Sequence, residues 1–213
     1  MPMKTDREYR DLVHGLEIRK SEDSENNEKI VEGYATTYNE PYMLFRDGNY
    51  EVWEQVAPSA FEECDMSDVI MQYDHQGRVF ARLSNKTLEL DSDDHGLKIR
   101  ANLGGTELGR QLYEEINGGY TNKMSFGFIV GADERVESED RETNTHKILR
   151  TITKISKLFD VSAVSLPAND GTQISSRSYG EGVIAEAREE FRRLQEIKEK
   201  RERISLRIKS MEV

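Results

Sequence analysis

The stretch KMSFGF, residues 123–128, sets one serine among bulky apolar side chains, two residues before a glycine. A strand sends successive side chains to opposite faces. Read as a strand, it puts Met124, Phe126 and Phe128 on a face fit for a core, and Ser125 and Gly127 on the other. That second face is almost bare. Small residues there either accommodate a neighbouring element, the commoner case for a strand serine, or leave room for something that must reach the hydroxyl.

Working outward, the chain of 213 residues suffices for one domain with a sizeable core plus an appendage. Charged residues make up 33 % and hydrophobic residues 36 %, against roughly 25 % and 45–50 % in typical globular domains. Part of the chain is therefore expected to be solvated loop or extended helix. A net charge of −11 argues against a nucleic-acid binder, which needs a basic face for phosphate. The single cysteine, Cys64, excludes an intrachain disulfide and a multi-cysteine metal site. No apolar run approaches the roughly 20 residues of a membrane span. The first fifteen residues lack the apolar stretch of a signal peptide, so a reducing cytoplasm is expected.

Residues 13–166 read mostly as strands. LEIRK and KIVEGYATTY flank the polar run SEDSENNE as a long hairpin, and YEVWEQV, VIMQYDH, RVFARL, KTLELDS and GLKIRANL follow. The SDDHG turn suggests a calcium loop, but no helices flank it and Asn102 stands where such a loop needs glutamate. A helix is predicted over TELGRQLYEEINGGY, with Thr106 as its cap, Leu108, Leu112 and Ile116 as its stripe and Gly118–Gly119 as its end. The polar stretch from Asp133 to His146 reads as an exposed loop. KILRTITKI and KLFDVSAVSLPAND read as the last strands. DGTQISSRSYGEG then reads as a flexible linker, and residues 183–211, without glycine or proline, as an amphipathic helix too polar to form a core alone.

A serine hydroxyl attacks well only when a base takes its proton and a third group orients the base. Of the four histidines, His14, His95 and His146 fall in ragged, turn or polar-loop contexts. His75 ends the apolar strand VIMQYDH in phase with Val69, Met71 and Tyr73, where a side chain can face a cleft. Asp160 interrupts the otherwise buried strand sequence KLFDVSAVSL, and a buried carboxylate is costly unless partnered. An imidazole is one suitable partner; an arginine or a backbone nest is the structural alternative. Ser162 and Ser165 are rival hydroxyls that read better as packing residues.

The order and spacing of these blocks resemble the prohead (capsid-maturation) protease family of tailed bacteriophages, serine endopeptidases related in fold to herpesvirus assemblin. The resemblance covers roughly residues 13–175. It rests on EGYATTYN, APSAF, VIMQYDH, DDHGLKIRANL, ELGRQLYEEINGG, KMSFGF and ISKLFDVSAVSLPAND taken together. By position, the family's histidine falls on His75, its nucleophile on Ser125 and its acid on Asp160. The family commonly has glutamate where this chain has aspartate, one methylene shorter. The herpesvirus relatives carry a histidine in the third role, but none follows Asp160 here. Backbone N–H groups near Phe126 and Gly127 are candidate oxyanion donors.

The resemblance implies a mainly β, α+β fold: a small closed β-barrel with flanking helices and a C-terminal amphipathic helix. The expected division is a protease domain over 1–175, a linker over 176–182 and a helical tail over 183–213. The implied activity is a serine endopeptidase of the Ser-His-Asp type, needing no metal or organic cofactor. It would cut scaffold protein, major capsid protein or itself inside an assembling procapsid in the host bacterial cytoplasm. Self-association through the tail is expected; nucleic acid and membrane are not expected partners. Two rivals stand beside this reading. One is a non-enzymatic assembly protein working through its charged helix. The other is a serine esterase, against which Ser125 lacks the Gly-x-Ser-x-Gly elbow.

Overall fold

The longest strand organises the body. In the computed structural model, which describes residues 7–15, 17–18, 28–140, 142–164 and 170–211, strand β11 runs from Thr145 to Val164. Before it come β1 (Glu8–Gly15), β2 (Glu17–Ile18), β3 (Ile30–Thr37), β4 (Tyr42–Asp47), β5 (Tyr50–Val56), β6 (Ile70–Tyr73), β7 (Gln76–Arg82), β8 (Leu88–Ser92), β9 (Gly96–Asn102), helix α1 (Glu107–Asn117) and β10 (Lys123–Asp140). Helix α2 (Asp170–Met211) follows it.

Strand β11 has β10 antiparallel on one side. On the other, two strands share its length in succession. Its first part lies parallel to β5, His146 opposite Tyr50 through Ile152 opposite Val56. Its last part lies parallel to β6, Asp160 opposite Ile70 through Ala163 opposite Tyr73. The seven-stranded sheet thus runs β1-β10-β11-β5-β4, with β6 and β7 branching from β11, while β2-β3-β9-β8 form a second sheet. Side chains from the two sheets meet in one core that includes Val31, Leu97, Ile99, Met124, Phe126, Phe128, Ile152 and Val161. The Phe126 and Phe128 rings stack with centroids 4.5 Å apart, so KMSFGF carries its core on the face its alternation indicates.

The closed barrel does not form. A barrel needs its first and last strands to pair, and among the described residues both sheets remain open, ending on β1 and β4 in one and on β2 and β8 in the other. The physical cause is the branch at β11, where β5 and β6 divide one edge and send the sheet in two directions. The mainly β character stands: among the described residues strand outweighs helix about two to one.

Three local readings also change. Residues 133–140 are not loop but the outer half of β10, paired with β11 from Asp133 opposite Ile152 to Asp140 opposite Thr145. Both faces of this arm carry solvated residues, so no apolar alternation marks it. In α1 the Thr106 hydroxyl accepts from the Gly109 N–H at 2.9 Å, but the buried stripe is Gly109, Leu112 and Ile116, with Leu108 turned out. Finally, helix α2 begins at Asp170 and runs unbroken through residues 176–182, the stretch expected as a linker. Its Val183, Ile184 and Ala187 bury against Val52 and Ile148, with Phe45 and Tyr179 alongside. Gly180 fits because a Cβ there would strike the Phe45 ring. Past this contact Phe191, Leu194 and Ile197 lie exposed. No helix among the described residues is long and apolar enough to cross a membrane.

Candidate active site

Three strands bring the polar residues of the core together. Directly opposed residues of an antiparallel pair share a face. Ser125 on β10 faces Ser162 on β11, and Gly127 faces Asp160, so all four project from one side of the sheet. Between Gly127–Phe128 and Asp160–Leu158 the ladder slips by one residue, leaving Phe159 as a bulge on β11.

His75 arrives from the other edge of β11. Tyr73 pairs with Gln76 across the β6–β7 hairpin, so the connection is the two residues Asp74 and His75. Both have positive φ, 46° and 57°, the conformation of a type I′ turn that is usually filled by Asn-Gly. For non-glycine residues this costs about 1–2 kcal/mol each. The Asp74 N–H donates to the Ala163 carbonyl at 3.0 Å and ties the turn to β11. His75 is therefore a turn residue, not the end of a strand, and backbone strain is spent on holding its ring where it is.

The ring lies between the other two groups. Its Nδ1 is 2.5 Å from Asp160 Oδ1 and its Nε2 is 2.6 Å from Ser125 Oγ. With Nδ1 protonated, the imidazole donates to the carboxylate and accepts from the serine hydroxyl, a continuous chain from acid to hydroxyl. The Ser162 hydroxyl also donates to Asp160 Oδ1, at 2.6 Å, and the Arg7 guanidinium pairs with Oδ2. Ser125 and Asp160 are fully buried, and the His75 side chain is 4 % exposed. Burial would raise the Asp160 carboxyl, but the hydrogen bond from His75, the Ser162 hydroxyl and the charge of Arg7 hold it below its ordinary value. Gly127 is glycine for a geometric reason: a Cβ there would strike Asp160 Oδ2 and crowd Arg7. The bare face is bare because the carboxylate occupies it.

A chain of this kind can move a proton off a hydroxyl, the first requirement of a nucleophilic serine. Comparison with known proteins agrees in kind: the family model for the caudovirus prohead serine protease matches residues 14–183. The chain belongs to that family. It is thus a serine protease of the group that matures phage capsids, and such proteases act on capsid proteins inside the procapsid. Neither the curated proteins nor the solved structures include a match to it.

In this prohead protease the residues singled out by sequence fall in distinct places. His75 lies within hydrogen-bond reach of both Ser125 and Asp160. Phe126 is fully buried on the opposite, core face. Phe126 and Gly127 have strand neighbours on both sides, Arg10 and Tyr9 of β1 and Val161 and Asp160 of β11, so their N–H groups lie in the plane of the sheet. Ser165 lies outside the described residues. His95 and His146 pack against Tyr34 and Tyr50, away from Ser125.

Sequence reading missed Arg7 and Tyr9. The Tyr9 ring meets His75 edge-on, centroids 4.5 Å apart, and the Arg7 guanidinium lies 4.5 Å from the Phe159 ring centroid. No local signal links residue 7 to an acid 153 positions away. Ser162 was recoverable, since two residues from Asp160 on one strand means the same face. The other face of β1 carries a second cluster. Glu8 and Arg10 join Glu54 and Arg150, with Arg150 Nη1 2.7 Å from Glu54 and 3.0 Å from Glu8. Tyr42 donates to Glu54 at 2.6 Å, and Arg150 Nε donates to Asp133 at 2.8 Å.

Proposed function

We propose that Ser125, His75 and Asp160 are the nucleophile, base and orienting acid of an endopeptidase that cleaves scaffold protein, major capsid protein or both during procapsid maturation. The observation that carries this reading is the unbroken hydrogen-bond chain from Asp160 through His75 to Ser125. As Ser125 Oγ bonds to the scissile carbonyl carbon, His75 Nε2 takes the hydroxyl proton. The ring then gives that proton to the departing amine as the C–N bond breaks, and water hydrolyses the acyl-enzyme by the same steps. Asp160 holds the tautomer and stabilises the imidazolium.

The hydroxyl is closed to solvent, so a peptide reaches it only after covering groups move. The oxyanion requires N–H donors close to Ser125. Phe126 and Gly127 supply them if the ladder beside β10 opens. Recruitment to capsid or scaffold protein, and self-association, are assigned to the distal half of α2, where Phe191, Leu194 and Ile197 are exposed. Self-cleavage and action within a procapsid in the host cytoplasm belong to the same reading.

The test is co-expression with the cognate capsid and scaffold proteins, followed by mass spectrometry of the fragments. Discrete fragments should appear with the wild-type chain and vanish with Ser125→Ala. The same fragments from Ser125→Ala would overturn the assignment.

A further inference from the structure

A buried carboxylate with one free oxygen can swing about its Cβ–Cγ bond, and an acid that swings does not hold a histidine. Asp160 is not free to do so. Oδ1 accepts from His75 Nδ1 and from Ser162 Oγ, while Oδ2 is paired with the Arg7 guanidinium. Both oxygens are thereby held from opposite sides.

Arg7 is itself held firmly for a residue next to the start of the first strand. Successive side chains of a strand alternate in direction. Glu8 and Arg10 point into the buried ion cluster, and Arg10 is bonded there to both Glu8 and Glu54. Arg7 and Tyr9 consequently face the serine side. The strand backbone is fixed by pairing along β10, with Glu8 opposite Phe128, Tyr9 opposite Gly127 and Arg10 opposite Phe126. The guanidinium lies near two aromatic faces, 4.5 Å from the Phe159 centroid and 4.9 Å from that of Tyr9. Tyr9 in turn abuts His75. Pairing along β10 thus fixes the strand that turns a charge and a ring toward the serine.

We infer that Arg7 is a positioning residue of the catalytic machinery, acting through Asp160 by fixing the carboxylate that orients His75. This rests on the reading of Ser125, His75 and Asp160 given above. The competing role is that of a counter-ion, which makes a buried carboxylate tolerable and leaves catalysis alone. The two differ in what Arg7→Met does to the reaction of the folded protein. Methionine keeps much of the side chain's reach and apolar contact but removes the charge and the donors.

The experiment is saturable inactivation of the full chain by a fluorophosphonate, which reports a binding constant KI and a chemical rate kinact separately, with thermal melting in parallel. Arg7→Met is expected to lower kinact about 10–100-fold, the cost of a small misplacement of a catalytic group, with KI unchanged. Arg7→Lys restores the charge and should recover most of the rate. In an Asp160→Asn background, Arg7→Met should cost nothing further, because the two residues act as one unit. Wild-type kinact in a folded Arg7→Met variant would leave Arg7 a counter-ion only. An equal loss in the Asp160→Asn background would show that it acts by another route. If Arg7→Met melts below the assay temperature, the same comparison is made with every variant at a lower temperature at which it is folded. Failure of the wild-type chain to label Ser125 at all would instead overturn the serine assignment, so the two outcomes are distinguishable.

Discussion

The two faces of β1 look onto two buried polar clusters that solve the same problem differently. On one face Glu8, Arg10, Glu54 and Arg150 form a closed set, each carboxylate shared between two guanidiniums. Burial would raise the Glu54 carboxyl, but Arg10 and Arg150, with the hydroxyl of Tyr42, hold it at about 2. Both arginines are pushed the opposite way, further toward the charged form, despite burial. Nothing in that set has a proton to pass on. On the other face the groups are strung in a line, Arg7 and Ser162 to Asp160, Asp160 to His75, His75 to Ser125. The line ends in a hydroxyl whose proton has a base waiting beside it. Saturated pairing gives a lock; linear pairing with a neutral end gives a relay that can run.

If the contrast is real, mutations on the two faces separate activity from stability. The largest effect is expected for Ser125→Ala and His75→Ala. Each should lower processing of co-expressed capsid protein by about 10⁶-fold, with melting close to wild type. Asp160→Asn comes next. It leaves nucleophile and base in place but spoils orientation, so a residual rate about 10⁴-fold below wild type is expected in the same assay. Wild-type processing by Asp160→Asn would transfer the orienting role elsewhere.

Gly127→Ala is a subtler break of the same face. Its Cβ would displace the Asp160 carboxylate and press on Arg7, and a shift of that kind costs on the order of 10²-fold in rate. Inactivation kinetics of the folded variant would read this directly. Unchanged kinetics would show that the carboxylate has room to spare.

On the other face, Arg150→Met strips the shared partner from two buried carboxylates. The expected loss is about 3–5 kcal/mol of unfolding free energy in urea, while the folded fraction still labels at the wild-type rate. A matching pH dependence follows. Glu54 lies below its ordinary value of 4.5 when folded, so the unfolded chain takes up the proton first as pH falls. Its contribution is complete above about pH 5 and drains away as the pH drops toward 2. Urea midpoints across that range should fall less in Arg150→Met than in wild type.

What the sequence disclosed, it disclosed where a residue broke its local pattern. Ser125 and Gly127 interrupt an apolar strand, Asp160 interrupts another, and His75 sits beside a turn glycine. Such anomalies survive translation into three dimensions because side-chain direction in a strand is set by parity alone. Parity does not say which strands meet; the closed barrel was expected from the family resemblance, and two open sheets exist in its place. The division of one β11 edge between β5 and β6 is a long-range choice with no periodic signature. The outer half of β10 escaped for a related reason, since a ribbon solvated on both faces has no apolar alternation to read. The Gly- and Ser-bearing start of α2 looked like a linker, yet Gly180 is the residue that lets the helix sit on Phe45. Arg7 was the least legible of all, because its meaning depends on an acid that only the fold brings near.

Whether Ser125 is the nucleophile is decided by treating the 213-residue chain, both free and in co-expressed capsid particles, with a fluorophosphonate and mapping the adduct by mass spectrometry. The adduct is expected on Ser125, absent when the reagent is added to the urea-unfolded chain and formed far more slowly in His75→Ala. An adduct on Ser162, or none on Ser125 in either preparation, would contradict that role.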